Sequence, residues 1–137
     1  MNDLVMYIIV NEDLKMTKGK TASQVAHIAC DLTNYYLLTA TKSERDNYKL
    51  YKKTGQPKII LKSSTKEMME LLNEYPNPQY VRVKRDEKDV RNVWNIWCMG
   101  VFDAGLTQVE DGSLTVVGFG LMPRNQTPEF IRKMKLL

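Results

Sequence analysis

Lys18, Gly19 and Lys20 stand between an apolar run, Val5 to Val10, and a long helical pattern. Such a strand–loop–helix order puts cationic side chains and unpaired backbone N–H groups at a helix N-terminus. The helix dipole favours an anion at the same place. The stretch from Lys15 to His27 therefore reads as a site for a phosphate. Gly19-Lys20-Thr21 copies the end of a nucleotide-binding P-loop, but that pattern needs a glycine five positions before Gly19, where Leu14 stands. A loop without it cannot wrap a triphosphate in that way.

Other chemistries find little support. Cys30 and Cys98 have no close Cys/His spacing, which argues against a zinc site and against a disulfide framework, and both read as buried free thiols. No Gly-x-Ser-x-Gly elbow occurs. Taken one at a time, the remaining polar candidates have ordinary roles. His27, the only histidine, would face water or bond a carbonyl, and Asp103 before Ala-Gly would be a turn residue. Thr107 would start a strand, and Lys20 would be a solvated cation.

The elements that must position these residues follow from pattern. Leu4 to Val10 is continuous, β-branched and aromatic, as in a buried strand. A helix from Lys20 or Thr21 to about Leu38 has Ala22, Val25, Ala26, Ala29, Leu32 and Tyr36 at helical spacing, which puts Gln24, His27 and Asp31 on its polar side. Thr41 to Thr54 continues as helix and ends near Gly55. Pro57 to Lys62 is a second strand, and Ser64 with Glu67 caps a helix carrying Met68, Leu71 and Leu72 that ends before Pro76. Gln79 to Val83 alternates like a third strand, and a solvated charged run follows from Arg82 to Arg91. Val93 to Phe102 is apolar and extends or re-enters the sheet; its Trp94 and Trp97 are read first as covering the sheet, with a subunit contact or stacking on a base as the alternatives. Asp111-Gly112 turns the chain into a strong strand, Leu114 to Phe119. Thr127 and Pro128 begin a short terminal helix with Phe130, Ile131 and Met134 on one side.

At 137 residues, with no repeat or linker, the chain is sized for one α/β domain with a real core. A net charge of +4 permits a nucleic-acid partner without demanding one. The N-terminal residues do not resemble a signal peptide, and the first apolar run is too short to span a membrane. The expectation is an intracellular, reducing, cytoplasmic setting without a membrane partner.

Four blocks resemble the type 2 peptidyl-tRNA hydrolase family, in the family's order. They are Lys15-Met-Thr-Lys-Gly-Lys-x-Ala-x-Gln-x-Ala-His27, Gly55-Gln-Pro-Lys-Ile-Ile-Leu-Lys62, Asp103-Ala-Gly-x-Thr-Gln108 and Thr115-Val-Val-Gly-Phe-Gly120. The ending Lys135-Leu-Leu137 is similar as well. The resemblance implies one domain over residues 1–137, a three-layer α/β/α sandwich around a four-stranded mixed sheet. It implies cleavage of the ester between a peptide and the 3′-terminal ribose of tRNA, with peptidyl-tRNA as partner, no cofactor, no metal and a homodimer. Carried over by position, the catalytic set is Lys20, Gln24, Asp103 and Thr107, with Lys15, Lys18 and His27 binding substrate. The sequence departs from the family at Leu106, where arginine is usual, and in a longer segment around residues 84–99. These departures keep open an alternative, a catalytically weak relative that binds RNA or a protein partner.

Overall fold

The computed structural model describes residues 3–77, 94–103 and 112–137. Its centre is β1, Leu4–Asn11, buried along its whole length. A single 3-10 turn over Glu12–Leu14 leads to α1, Lys18–Leu38, then α2, Lys42–Lys53, and β2, Lys58–Ser63. After α3, Thr65–Glu74, come β3, Cys98–Phe102, and β4, Leu114–Phe119. Short pieces finish the chain: β5 at Met122–Pro123, α4 at Glu129–Arg132 and β6 at Lys135–Leu136. The sheet order is β3-β4-β1-β2-β6, with β5 also paired to β1. β1 and β2 are parallel and the other pairings antiparallel, so the sheet is mixed.

The sheet therefore has six strands, not four. β5 and β6 are two residues each, too short for a period-2 signal, and are held in place by pairing rather than by pattern. The strand expected at Gln79 to Val83 and the charged run after it lie outside the described residues.

Alternate residues of β1 enter two apolar clusters. Leu4, Met6, Ile8 and Val10 join Ile28 and Leu32 of α1 and Tyr48 and Tyr51 of α2. Val5, Tyr7 and Ile9 join Met68 and Leu71 of α3 and Ile131 of α4. This alternation explains why β1 reads as an unbroken apolar run: both sides of it are covered.

Helix starts follow their caps. Thr17 accepts from the Lys20 amide and starts α1 two residues before Lys20. Thr41 and Glu44 form a reciprocal capping box on α2. Ser64 caps α3, but the Glu67 side chain turns to the Ser63 hydroxyl instead of completing a box. At α4, Pro128 takes the N-cap position while the Thr127 hydroxyl bonds Tyr7 Oη at 2.8 Å.

The inner face of α1 is Gln24, Ile28, Leu32, Tyr35 and Tyr36. Ala22 and Ala26, expected to pack inward, are exposed, and Gln24 is buried rather than on the polar side. Alanine has too little apolar surface to fix which side faces in, so the bulkier residues set the rotation. Trp97 packs against Tyr35 and Tyr36, and Trp94 donates its indole N–H to the Leu121 carbonyl at 2.8 Å. Both indoles cover the sheet.

Cys30 corrects the expectation of two buried thiols: it is exposed on α1, while Cys98 is buried. Burial pushes the Cys98 thiol up to about 12. A disulfide-exchange reagent should therefore titrate Cys30 in the folded protein and reach Cys98 only in denaturant. Gly118 is where β4 meets α1, since a Cβ there would lie 2.6 Å from Ile28 Cγ1 and 2.7 Å from Leu32 Cδ1. Gly118→Ala should lower stability by about 1–3 kcal/mol through overpacking, seen as a lower urea midpoint at unchanged m-value.

Candidate active site

The ends of β1, β3 and β4 and the start of α1 come together at one end of the sheet. Asn11, the last residue of β1, donates to the Leu114 carbonyl at 2.8 Å and to Thr65 Oγ1 at 2.7 Å. It thus ties β1 to the start of β4 and to α3. From there the chain passes through Lys15, which takes a left-handed conformation at φ 45, into the capped start of α1.

Lys20 Nζ lies 3.1 Å from Asp103 Oδ2, and the two side chains are only 7% and 8% exposed. Asp103 closes β3, and its backbone is clamped on both sides. Its N–H donates to Ser113 O at 2.8 Å and its carbonyl accepts from Gly112 N at 2.7 Å. Gly112 permits the turn with φ 81. The ion pair therefore joins the first turn of α1 to a rigid strand end.

Gln24 lies one turn along α1 from Lys20. Its Oε1 accepts from the Thr115 hydroxyl at 2.7 Å, and the same hydroxyl lies 3.1 Å from the Val101 carbonyl. Thr115 reaches α1 because the β3–β4 ladder is irregular. Val101 pairs Val116 and Phe102 pairs Leu114, so Thr115 has no partner opposite. Leu114 and Val117 face the α3 side, while Thr115 and Val116 both face α1. A bulge has turned one side chain around. With its proton shared between the two carbonyl oxygens, Thr115 leaves the Gln24 NH2 group both of its donors.

The expected residues thus divide. Lys20 and Asp103 meet, and Gln24 stands beside them on the inner face of the same helix. His27 is apart from them, with its side chain 54% exposed and Nε2 3.5 Å from Asp31. Lys15 is exposed on the approach to the helix and Lys18 at its first position. Thr107 and Leu106 lie outside the described residues. Thr115 was not singled out by the sequence, although a signal existed: it is the one hydroxyl in an otherwise apolar, fully buried strand. No cluster of three His, Cys, Asp or Glu that could hold a metal occurs among the described residues.

The arrangement offers a carboxylate, an ammonium and a carboxamide within one small region. A carboxylate in such a place can accept a proton or orient water, and an ammonium can meet developing negative charge. Because the pair is largely removed from solvent, its charges are weakly screened. Ester hydrolysis needs these same functions.

Residues 4–137 match the family described as Peptidyl-tRNA hydrolase PTH2. A protein of Methanococcus vannielii named peptidyl-tRNA hydrolase is 33% identical over 131 residues, covering 95% of this chain and 96% of that one. Another of that name, from Saccharolobus islandicus, is 32% identical over 132 residues, covering 96% and 98%. With the match spanning both strand ends and the helix that carry the ion pair, the chain belongs to the peptidyl-tRNA hydrolase PTH2 family.

Proposed function

We propose that this protein hydrolyses the ester between a peptide and the 3′-terminal ribose of tRNA, releasing tRNA for reuse in translation. The observation that carries the reading is the largely buried Lys20–Asp103 pair at the start of α1. A desolvated ion pair is an expensive way to gain stability, because the penalty of burying two charges offsets most of their attraction. At the end of a sheet, beside a capped helix start, it is better accounted for by chemistry.

In this mechanism Asp103 orients and activates the attacking water and holds Lys20 by a charge-assisted hydrogen bond. Lys20 meets the oxyanion as the tetrahedral intermediate forms. When that intermediate collapses, the acyl C–O bond to ribose breaks and the proton taken from water passes from Asp103 to the departing oxygen. Gln24 donates from its NH2 group to the ester, with Thr115 as a positioning residue that keeps the amide oriented. Thr107, on the family resemblance, adds a further hydrogen bond. Lys15 and Lys18 attract the tRNA backbone, a contact that salt weakens and base sequence does not alter. The exposed His27 is a candidate substrate contact at the edge of the site.

Lys20, Gln24, Asp103 and Thr115 all come from one chain, so the reading does not depend on the homodimer implied by the resemblance. The proposal includes the three-layer α/β/α arrangement, supported by the two apolar clusters on either side of β1. It also keeps the segment around residues 84–99 as an insertion; Trp94 and Trp97 at its end pack on the body of the protein. No helix among the described residues is long and apolar enough to cross a membrane.

Lys20→Ala and Asp103→Asn should each lower kcat for deacylation of an N-blocked aminoacyl-tRNA by roughly 10²–10³-fold. Equal hydrolysis by wild type and both variants would remove this assignment. Thr115→Val should lower kcat about tenfold, equivalent to about 1.4 kcal/mol, with KM little changed and the circular dichroism spectrum retained. A change confined to KM would instead make Thr115 a binding residue.

A further inference from the structure

On the α1 side of the sheet, one transverse row runs through the registered pairs Val101, Val116, Val10, Lys62 and Lys135. Its first three members are buried valines. It ends on two lysines placed directly opposite each other on β2 and β6. Lys62 is half-buried and Lys135 exposed. Residues in that relation have Cβ atoms about 4.5–5.5 Å apart, and like charges there are destabilising.

No ion pair among the described residues offsets the repulsion. The ion pairs among the described residues are Lys20–Asp103, His27–Asp31 and Lys42–Asp46, and neither Lys62 nor Lys135 is in one. The 3-10 turn beside β2 carries two acids, Glu12 and Asp13, but Asp13 accepts from the Thr65 amide at 2.9 Å. Glu12 stays beyond 4 Å of both lysines, since no ion pair joins them.

The place of the pair suggests what it meets. Strands lie roughly 4.8 Å apart, so Lys62 and Lys135 stand about 10–15 Å along the row from Val116, the neighbour of Thr115. Lys15 is exposed on the connection that leaves β1 at the same end of the sheet, and Lys18 is exposed as the first residue of α1. The four cations stand on separate elements: Lys15 before α1, Lys18 at its start, Lys62 on β2 and Lys135 on β6. Such a layout fits a chain of phosphates better than a single anion.

We propose that Lys62 and Lys135 extend the basic approach of Lys15 and Lys18 into a track for the phosphate backbone of an RNA strand. This rests on the hydrolase reading and adds to it where the tRNA lies: across β2 and β6, on the α1 side. The track contacts phosphates only and carries no base preference.

The test is the salt dependence of hydrolysis of N-blocked aminoacyl-tRNA by wild type, a Lys62→Gln/Lys135→Gln double variant and the corresponding double arginine variant. The slope of log kcat/KM against log salt should flatten by about 1.5 in the glutamine variant, from the loss of two phosphate contacts. The arginine variant should keep the wild-type slope. At saturating tRNA, kcat should be unchanged, and the urea midpoint of the glutamine variant should equal or exceed that of wild type. A glutamine variant with the wild-type slope would overturn the track. Retention of uncharged tRNA on a filter, measured over the same salt range, reads the same slope without turnover. A wild type that fails to hydrolyse the ester but shows the slope difference on the filter would overturn the hydrolase reading and leave the track standing.

Discussion

The contact between Lys20 and Asp103 sets the terms for everything around it. Two opposite charges withdrawn from water hold one geometry only if neither can drift, because either one left alone would be costly. The fold meets that demand in part by holding the backbone of both residues. Thr17 fixes the first turn of the helix that carries the lysine, and Ser113 and Gly112 hold the strand end that carries the carboxylate. Close packing at Gly118 then sets the distance between that helix and the sheet. These contacts are distant in sequence, yet each bears on the same separation of two side-chain atoms.

The bulge in β4 has the complementary task. A regular strand would alternate, and Thr115 would face α3, away from Gln24. One unpaired residue breaks the alternation and brings the hydroxyl to the helix. The cost is one interrupted rung of the ladder, partly recovered when the same hydroxyl approaches the Val101 carbonyl. Local irregularity in the sheet thus orients a residue on the helix.

Much of this was legible in the sequence because local signals agreed with tertiary structure. The apolar run of β1, the cap Ser64 and the prolines after α3 each point to one outcome. Lys20 and Asp103 were named as partners on resemblance, and the geometry joins them. Three readings went differently for definite reasons. The alanines of α1 suggested a rotation that Ile28 and Tyr35 overrule, which turned Gln24 inward and left Cys30 outside. Strands of two residues have no period to read, so β5 and β6 were missed. Thr115 was passed over: its lone hydroxyl in an apolar run was visible, but the bulge that turns it toward α1 shows only in the pairing.

The position of β1 has a consequence for how the molecule comes into being. It is made before the other described strands and lies between β2 and β4, and its Asn11 bonds a carbonyl 103 residues further on. The Tyr7 hydroxyl waits for Thr127, across 120 residues. Pairings that close loops of this size are slow to form, because the chain entropy is lost before the contacts return it. During synthesis the N-terminal β1–β2 half can gather early, but one side of β1 stays open until the last quarter of the chain has been made. Lys20 therefore emerges long before its carboxylate, and the half-made protein carries the cation without the site.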